Sequence, residues 1–120
     1  MINLRKEVIS GLSNFTGLNV YLPYQEIGGL QFPLITFDML VVDGRQNLNH
    51  GILTYSVTFD IHLYQEDVTE LLQNNSIKEY FKTLGIKCSY ESQPIKSHHW
   101  YRQYQFECVI QVRNENYIIL

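Results

Sequence analysis

Two runs of strict alternation dominate the chain. In the first, Tyr55, Val57, Phe59, Ile61 and Leu63 share one parity while Thr54, Ser56, Thr58 and Asp60 take the other. In the second, Tyr104, Phe106, Cys108, Ile110 and Val112 alternate with Gln103, Gln105 and Glu107. A period of two puts apolar groups on one face of a half-buried antiparallel strand. At a rise of roughly 3.3 Å per residue, the stretch from Gly51 to Tyr64 reaches about 46 Å when straight. A chain of this length folds to a radius of gyration of about 14 Å. The strand must therefore bend sharply or project beyond its own core. A projecting hairpin with unpaired backbone is expected to find its hydrogen-bond partners on neighbouring copies.

The remaining pattern supplies the other elements. Asn3 caps a helix with Leu4, Val8 and Leu12 on one face, expected to end near Gly11 or Ser13. Leu18 to Leu22 reads as a brief strand stopped by Pro23, and Gln25 to Phe32, with Gly28 and Gly29, as a loop. From Pro33 to Val42 a second strand, expected to be central, sets Ile35, Phe37, Met39 and Val41 against Thr36 and Asp38. The polar, glycine-bounded stretch Asp43, Gly44, Arg45, Gln46, Asn47, Leu48, Asn49 and His50 reads as a loop at the hairpin tip.

Between Glu66 and Gly85 the spacing changes to three and four, through Val68, Leu71, Leu72, Ile77, Tyr80, Phe81 and Leu84. This predicts one continuous helix about 27 Å long, with Asn74, Asn75 and Ser76 as its weak point. Ile86 to Tyr90 and Trp100 to Arg113 form a closing hairpin, and the apolar tail Tyr117 to Leu120 is expected to dock. Strands and helices are segregated. The prediction is one α+β domain over 1–120, in the order α-β-β-β-α-β-β. It has a mainly antiparallel sheet of four to five strands, two helices on one face and a long hairpin projecting from the core.

Charge narrows the function. Twelve acidic residues against nine basic give a net charge of −3, and the basic residues are scattered, whereas phosphate binding needs a concentrated basic face. The opening MINLRKEVISGL is too polar for a signal peptide, and no apolar run is long enough to cross a bilayer. Cys88 and Cys108 fit a reducing compartment, so the chain is expected in a cytoplasm.

Candidate chemistry is sparse. Cys88, Cys108, His98 and His99 could be four zinc ligands, but they lack the local spacing that preorganises a site and read as core thiols beside loop histidines. His50, His62, Asp38, Asp60 and Glu107 could form an acid-base or metal-dependent nuclease cluster. Strand alternation already accounts for Asp60 and His62, and phosphate-cradling glycines, a nucleophile elbow and a metalloprotease helix are absent. Tyr101, Tyr104 and Phe106 could stack bases but have no basic partners. Trp100 and Tyr101 are better placed as interface aromatics. The face carrying Thr58, Asp60, Gln105 and Glu107 is poor in lysine. It reads as a solvated face, or as a lumen past which a polyanion slides without sticking.

Taken in order, LRKEVISGL, NVYL, PLITFDML, a loop, YSVTFDIHLYQ, EDVTELLQNNSIKEYFKTLG and YRQYQFECVIQVR resemble the tail terminator (tail-completion) proteins of long-tailed bacteriophages. The resemblance spans nearly the whole chain and rests on element order and layout. It implies a structural protein of the virion, assembled in the host cytoplasm, with no catalytic residues, cofactor, metal or membrane. Its copies would form a ring, usually of six, that stops tail-tube polymerisation and offers a joining surface to the head-tail connector. The partners implied are the chain itself, the tail-tube protein and the connector, with DNA passing unbound. Asp43 to His50 would be the contact loop, and the apolar YIIL ending has no counterpart role. Left open are another neck protein, a peptide or nucleic-acid adaptor using Trp100, Tyr101 and a sheet edge, and an enzyme built on His62, Asp60 and Glu107.

Overall fold

Leu4, Val8 and Leu12 form the buried stripe of α1 (Leu4–Thr16). The helix runs a turn further than its sequence predicts. It closes at Gly17, whose φ of 73° lets its N–H donate to the Ser13 carbonyl at 2.9 Å. Gly11 is a packing contact rather than a stop, since a Cβ there would collide with the Tyr80 ring. The computed structural model describes residues 4–23, 29–47, 52–113 and 116–120, with backbone alone for 43–47 and 52. The proposed Asn3 cap, Gly28, and Leu48, Asn49 and His50 of the predicted loop lie outside the described residues.

The second helical segment is broken, against the expectation of continuity. It comprises α2 (Val68–Gln73) and α3 (Ser76–Thr83). Asp67 caps α2 by accepting from the N–H groups of Thr69 and Glu70 at 2.8 and 3.3 Å. At the break, the Asn74 side chain accepts from the Ser76 N–H at 3.0 Å and the Ser76 hydroxyl at 2.6 Å. This local competition for backbone groups defeats the helical period. At the other end Gly85 is the predicted stop. The Gly85 N–H donates to Lys82 and the Ile86 N–H to Phe81, with Ile86 and Phe81 both buried in the core.

The sheet has seven strands rather than four or five: β1 (Val20–Tyr21), β2 (Leu34–Asn47), β3 (Ile52–Tyr64), β4 (Cys88–Glu91), β5 (Ile95–Lys96), β6 (Trp100–Arg113) and β7 (Asn116–Ile119). The path runs β1-β2-β3-β6-β4, with β5 and β7 also paired to β6. All pairings are antiparallel except β1 with β2.

Two expectations fail here. The strand with full-length neighbours on both sides is β3, which pairs with β2 on one side and with β6 on the other, from Leu53 opposite Val112 to Tyr64 opposite Tyr101. Its hydrogen bonds are thus satisfied within the chain, because β6 is long enough to zip along it. Likewise Asp43, Gly44, Arg45, Gln46 and Asn47 continue β2 instead of forming a loop, through a register shift between Asp43 and Gln46. Backbone pairing with Leu53 and Ile52 outweighs the polar character of that stretch.

The helical segments cover one face of the sheet. Phe81 stacks on Phe106 at 4.0 Å and meets Phe59 at 5.2 Å, and Phe59 meets Phe37 at 5.9 Å. On that face Ile35, Phe37, Phe59, Ile61, Leu63 and Phe106 are fully buried, whereas Met39, Val41, Tyr55 and Val112, higher on the same strands, are only half-buried. The strands thus outrun the helices. The molecule measures 53 × 24 × 23 Å with a radius of gyration of 15.6 Å.

Phe59→Ala should cost about 3–5 kcal/mol in urea unfolding, since the ring has no exposure. Leu40→Ala, at a side chain 63% exposed, should stay within about 0.5 kcal/mol of the parent chain. A larger loss for Leu40→Ala than for Phe59→Ala would mean that the two faces of the sheet have been interchanged.

Candidate functional site

The face without helices is assembled rung by rung from the pairing. One row holds Thr36, His62 and Gln103; the next holds Asp38, Asp60 and Gln105; the third holds Leu40, Thr58 and Glu107; the fourth holds Val42, Ser56 and Val109. The four residues read as a polar face, Thr58, Asp60, Gln105 and Glu107, are therefore direct neighbours on β3 and β6. The face is not uniformly polar. Leu40, Val42 and Val109 are 63, 52 and 41% exposed. Beside them lie Ile118, opposite Gln111, and Leu120, whose N–H donates to the Val109 carbonyl at 2.9 Å. These two are 59 and 66% exposed.

Below this apolar stripe sits an aromatic cluster. Tyr101 stacks on His62 at 5.2 Å and meets Tyr64 at 5.3 Å, and Phe32 meets Tyr64 at 6.4 Å and His99 at 4.5 Å. Asp60 Oδ1 accepts from the Gln103 amide at 2.8 Å and stands 3.7 Å from His62 Nε2, too far for a hydrogen bond. Nε2 is buried with no hydrogen-bond partner. Burial pushes the His62 pKa down, against the opposing pull of Asp60. The ring is packed as a neutral aromatic. Glu107 lies on a different row, opposite Thr58, and His50 is outside the described residues. Asp60 and His62 are brought together, whereas Glu107 stands one row from Asp60 and two rows from His62. Trp100 is half-buried against the core with Lys96 Nζ 5.5 Å from its ring centre, and Tyr101 is half-buried in the aromatic cluster.

The other constellation is dispersed. Cys88 lies opposite Phe106, one inward position from Cys108; both thiols are half-buried, and burial raises both pKa values. His98 is exposed and His99 joins the aromatic cluster, so the four are not gathered. Among the described residues no group of three His, Cys, Asp or Glu side chains could hold a metal ion. Arg102 is nearly buried, donating from Nε to the Ser92 carbonyl at 2.7 Å and pairing with Glu91, whose other oxygen meets Lys78 Nζ at 2.8 Å. That arginine is committed to the fold.

The lateral edges carry a signal that residue patterning alone did not expose. The Ile35 N–H donates outward to the Asn19 carbonyl at 3.0 Å, so alternate residues Phe37, Met39 and Val41 also turn their backbone groups outward. Strand β1 covers only Ile35 and Thr36. At Met39 the N–H donates to the Asp38 carboxylate at 2.9 Å and the carbonyl accepts from Arg5 at 3.4 Å. From Val41 upward no strand covers this edge among the described residues. On the opposite side β7 closes the upper part of β6, and its own outer edge is free of any strand among the described residues.

No family model matches the chain, nor does any curated protein. No helix among the described residues is long and apolar enough to cross a bilayer.

The lowered His62 pKa has a testable sign. Between the folded pKa and about 6.5 the unfolded chain binds more protons than the folded one, so stability falls as pH drops through that window. Urea midpoints measured from pH 7 to pH 5 should fall less steeply for His62→Gln than for the parent chain. Parallel slopes would show that the ring is not desolvated.

Proposed function

We propose that the chain is a structural assembly protein that acts as a tail terminator of a long-tailed phage. Copies join side by side into a ring, six being the number implied by the resemblance. The ring ends tail-tube growth and presents a surface to the head-tail connector. The observation that carries this reading is a sheet that outruns its helices and ends in a β2 edge that no strand covers among the described residues, beside an exposed apolar stripe. A monomer leaves the backbone groups of that edge unpaired, and assembly pairs them while joining the stripe across neighbours.

The helix-free face would line the lumen. Its charged side chains Asp38, Asp60 and Glu107 are acidic, with Arg113 at the far end of β6, so a passing polyanion gains little by displacing its counterions. In this reading Asp43 to Asn47, at the far end of β2, reach the tube.

Size-exclusion chromatography with light scattering over a concentration series should show a closed multimer. Electron microscopy with added tail-tube protein should show tubes of arrested length carrying a cap. Tubes that grow without limit in the presence of the chain would overturn the reading.

A further inference from the structure

The chain has two lateral edges, and they are complementary to one another. Because β2 and β6 run one way and β3 and β7 the other, β7 is antiparallel to the β2 of any copy placed beside it in the same orientation. Backbone groups match as well. The Leu120 N–H points inward to Val109, so the N–H and C=O groups of Tyr117 and Ile119 point outward, as do those of Val41 across the sheet. Height matches too. Leu120 is on the Val42 row and Ile119 on the Asp43 row, level with the stretch of β2 that no strand covers among the described residues.

The faces agree. Leu40 and Val42 at one edge, and Ile118 and Leu120 at the other, are exposed on the same helix-free side. Charge follows the same division. Helix α1 lays Arg5 against Met39 at the β2 edge and Glu7 against the Tyr117 hydroxyl at the β7 edge, opposite signs at the two sides.

We propose that the C-terminal strand β7 of one copy pairs antiparallel with the upper edge of β2, from Val41 onward, of the next copy. The sheets then become continuous and the two apolar half-stripes merge into one. The occupant of the bare β2 edge is thus a second copy of this chain, held by main-chain hydrogen bonds as in strand addition. The contact is head-to-tail, the kind that closes into rings. Asp38 and Arg5, which occupy the Met39 backbone groups, mark where the pairing stops. The proposal rests on the assembly reading above for its ring, but not for its tube or connector.

Covalent capture tests it. Val42 and Ile118 both turn their N–H groups inward, so across the new contact they occupy non-hydrogen-bonded sites, where Cα atoms stand about 4.5 Å apart and a disulfide fits. Chains carrying Val42→Cys and chains carrying Ile118→Cys or Leu120→Cys are mixed at high concentration under glutathione disulfide, with the unaltered chain as control. The mixed pair should cross-link in preference to either homodimer, and a chain carrying both cysteines should give a ladder of covalent multimers. Absence of the mixed product with both partners overturns the proposal, as does faster Val42→Cys homodimer formation, which would mean symmetric pairing of β2 with β2.

Val41→Pro supplies an independent arm, because that N–H points to the edge that no strand covers among the described residues. It should abolish the multimer while leaving circular dichroism and the unfolding midpoint close to those of the parent. Multimers that cross-link as described but never arrest tubes would retire the tail reading and leave this contact standing. Tube arrest by Val41→Pro at the parent level would do the reverse.

Discussion

The register of β3 between β2 and β6 is the constraint from which the rest of the molecule follows. Twelve rungs on one side, Leu53 to Tyr64, fix which parity of each strand meets the helices. A slip of one residue would exchange Phe59 and Ile61 for Thr58 and Asp60 across the entire sheet. The same register sets the composition of the bare face and the height at which β7 lies. Packing of Phe81 against Phe59 and Phe106 locks it from above.

That register explains why so much of the architecture was legible. The alternation through Tyr55 to Leu63 and Tyr104 to Val112 is dense in apolar groups, so burial followed parity. The stripe Leu4, Val8 and Leu12 was equally plain. What escaped had local rather than periodic causes. Asn74 ended a helix by one side-chain oxygen, where the apolar spacing carried on past it. Asp43 to Asn47 looked like a turn because their side chains are polar, yet a strand needs only backbone groups and an available neighbour. Short strands such as β1 and β5 have too few residues to show any period.

The candidate surface was legible only in part. Thr58, Asp60, Gln105 and Glu107 sit together as parity requires, but Leu40, Val42 and Val109 interrupt them. On β2 the two apolar residues fall on the parity of Thr36 and Asp38, so alternation there is imperfect. Such exposed apolar side chains on a sheet of this size are informative because a solvated face has no use for them. The aromatic cluster around His62 depends on Phe32 and His99, which come from irregular segments that carry no pattern. The status of β2 and β7 as opposite margins is a property of topology, which residue type does not encode.

Chain order adds a temporal aspect to the paired core. A ribosome delivers β2 and β3 early, and β6 becomes available only once residue 100 has been made. Until then Val57, Phe59 and Ile61 belong to a two-stranded ribbon with one flank unsealed. Isolated hairpins of that kind are marginal, and long-range pairing is slow to form. The nascent chain therefore depends on β6 to secure β3, and the interval before that closure leaves β3 exposed to aggregation.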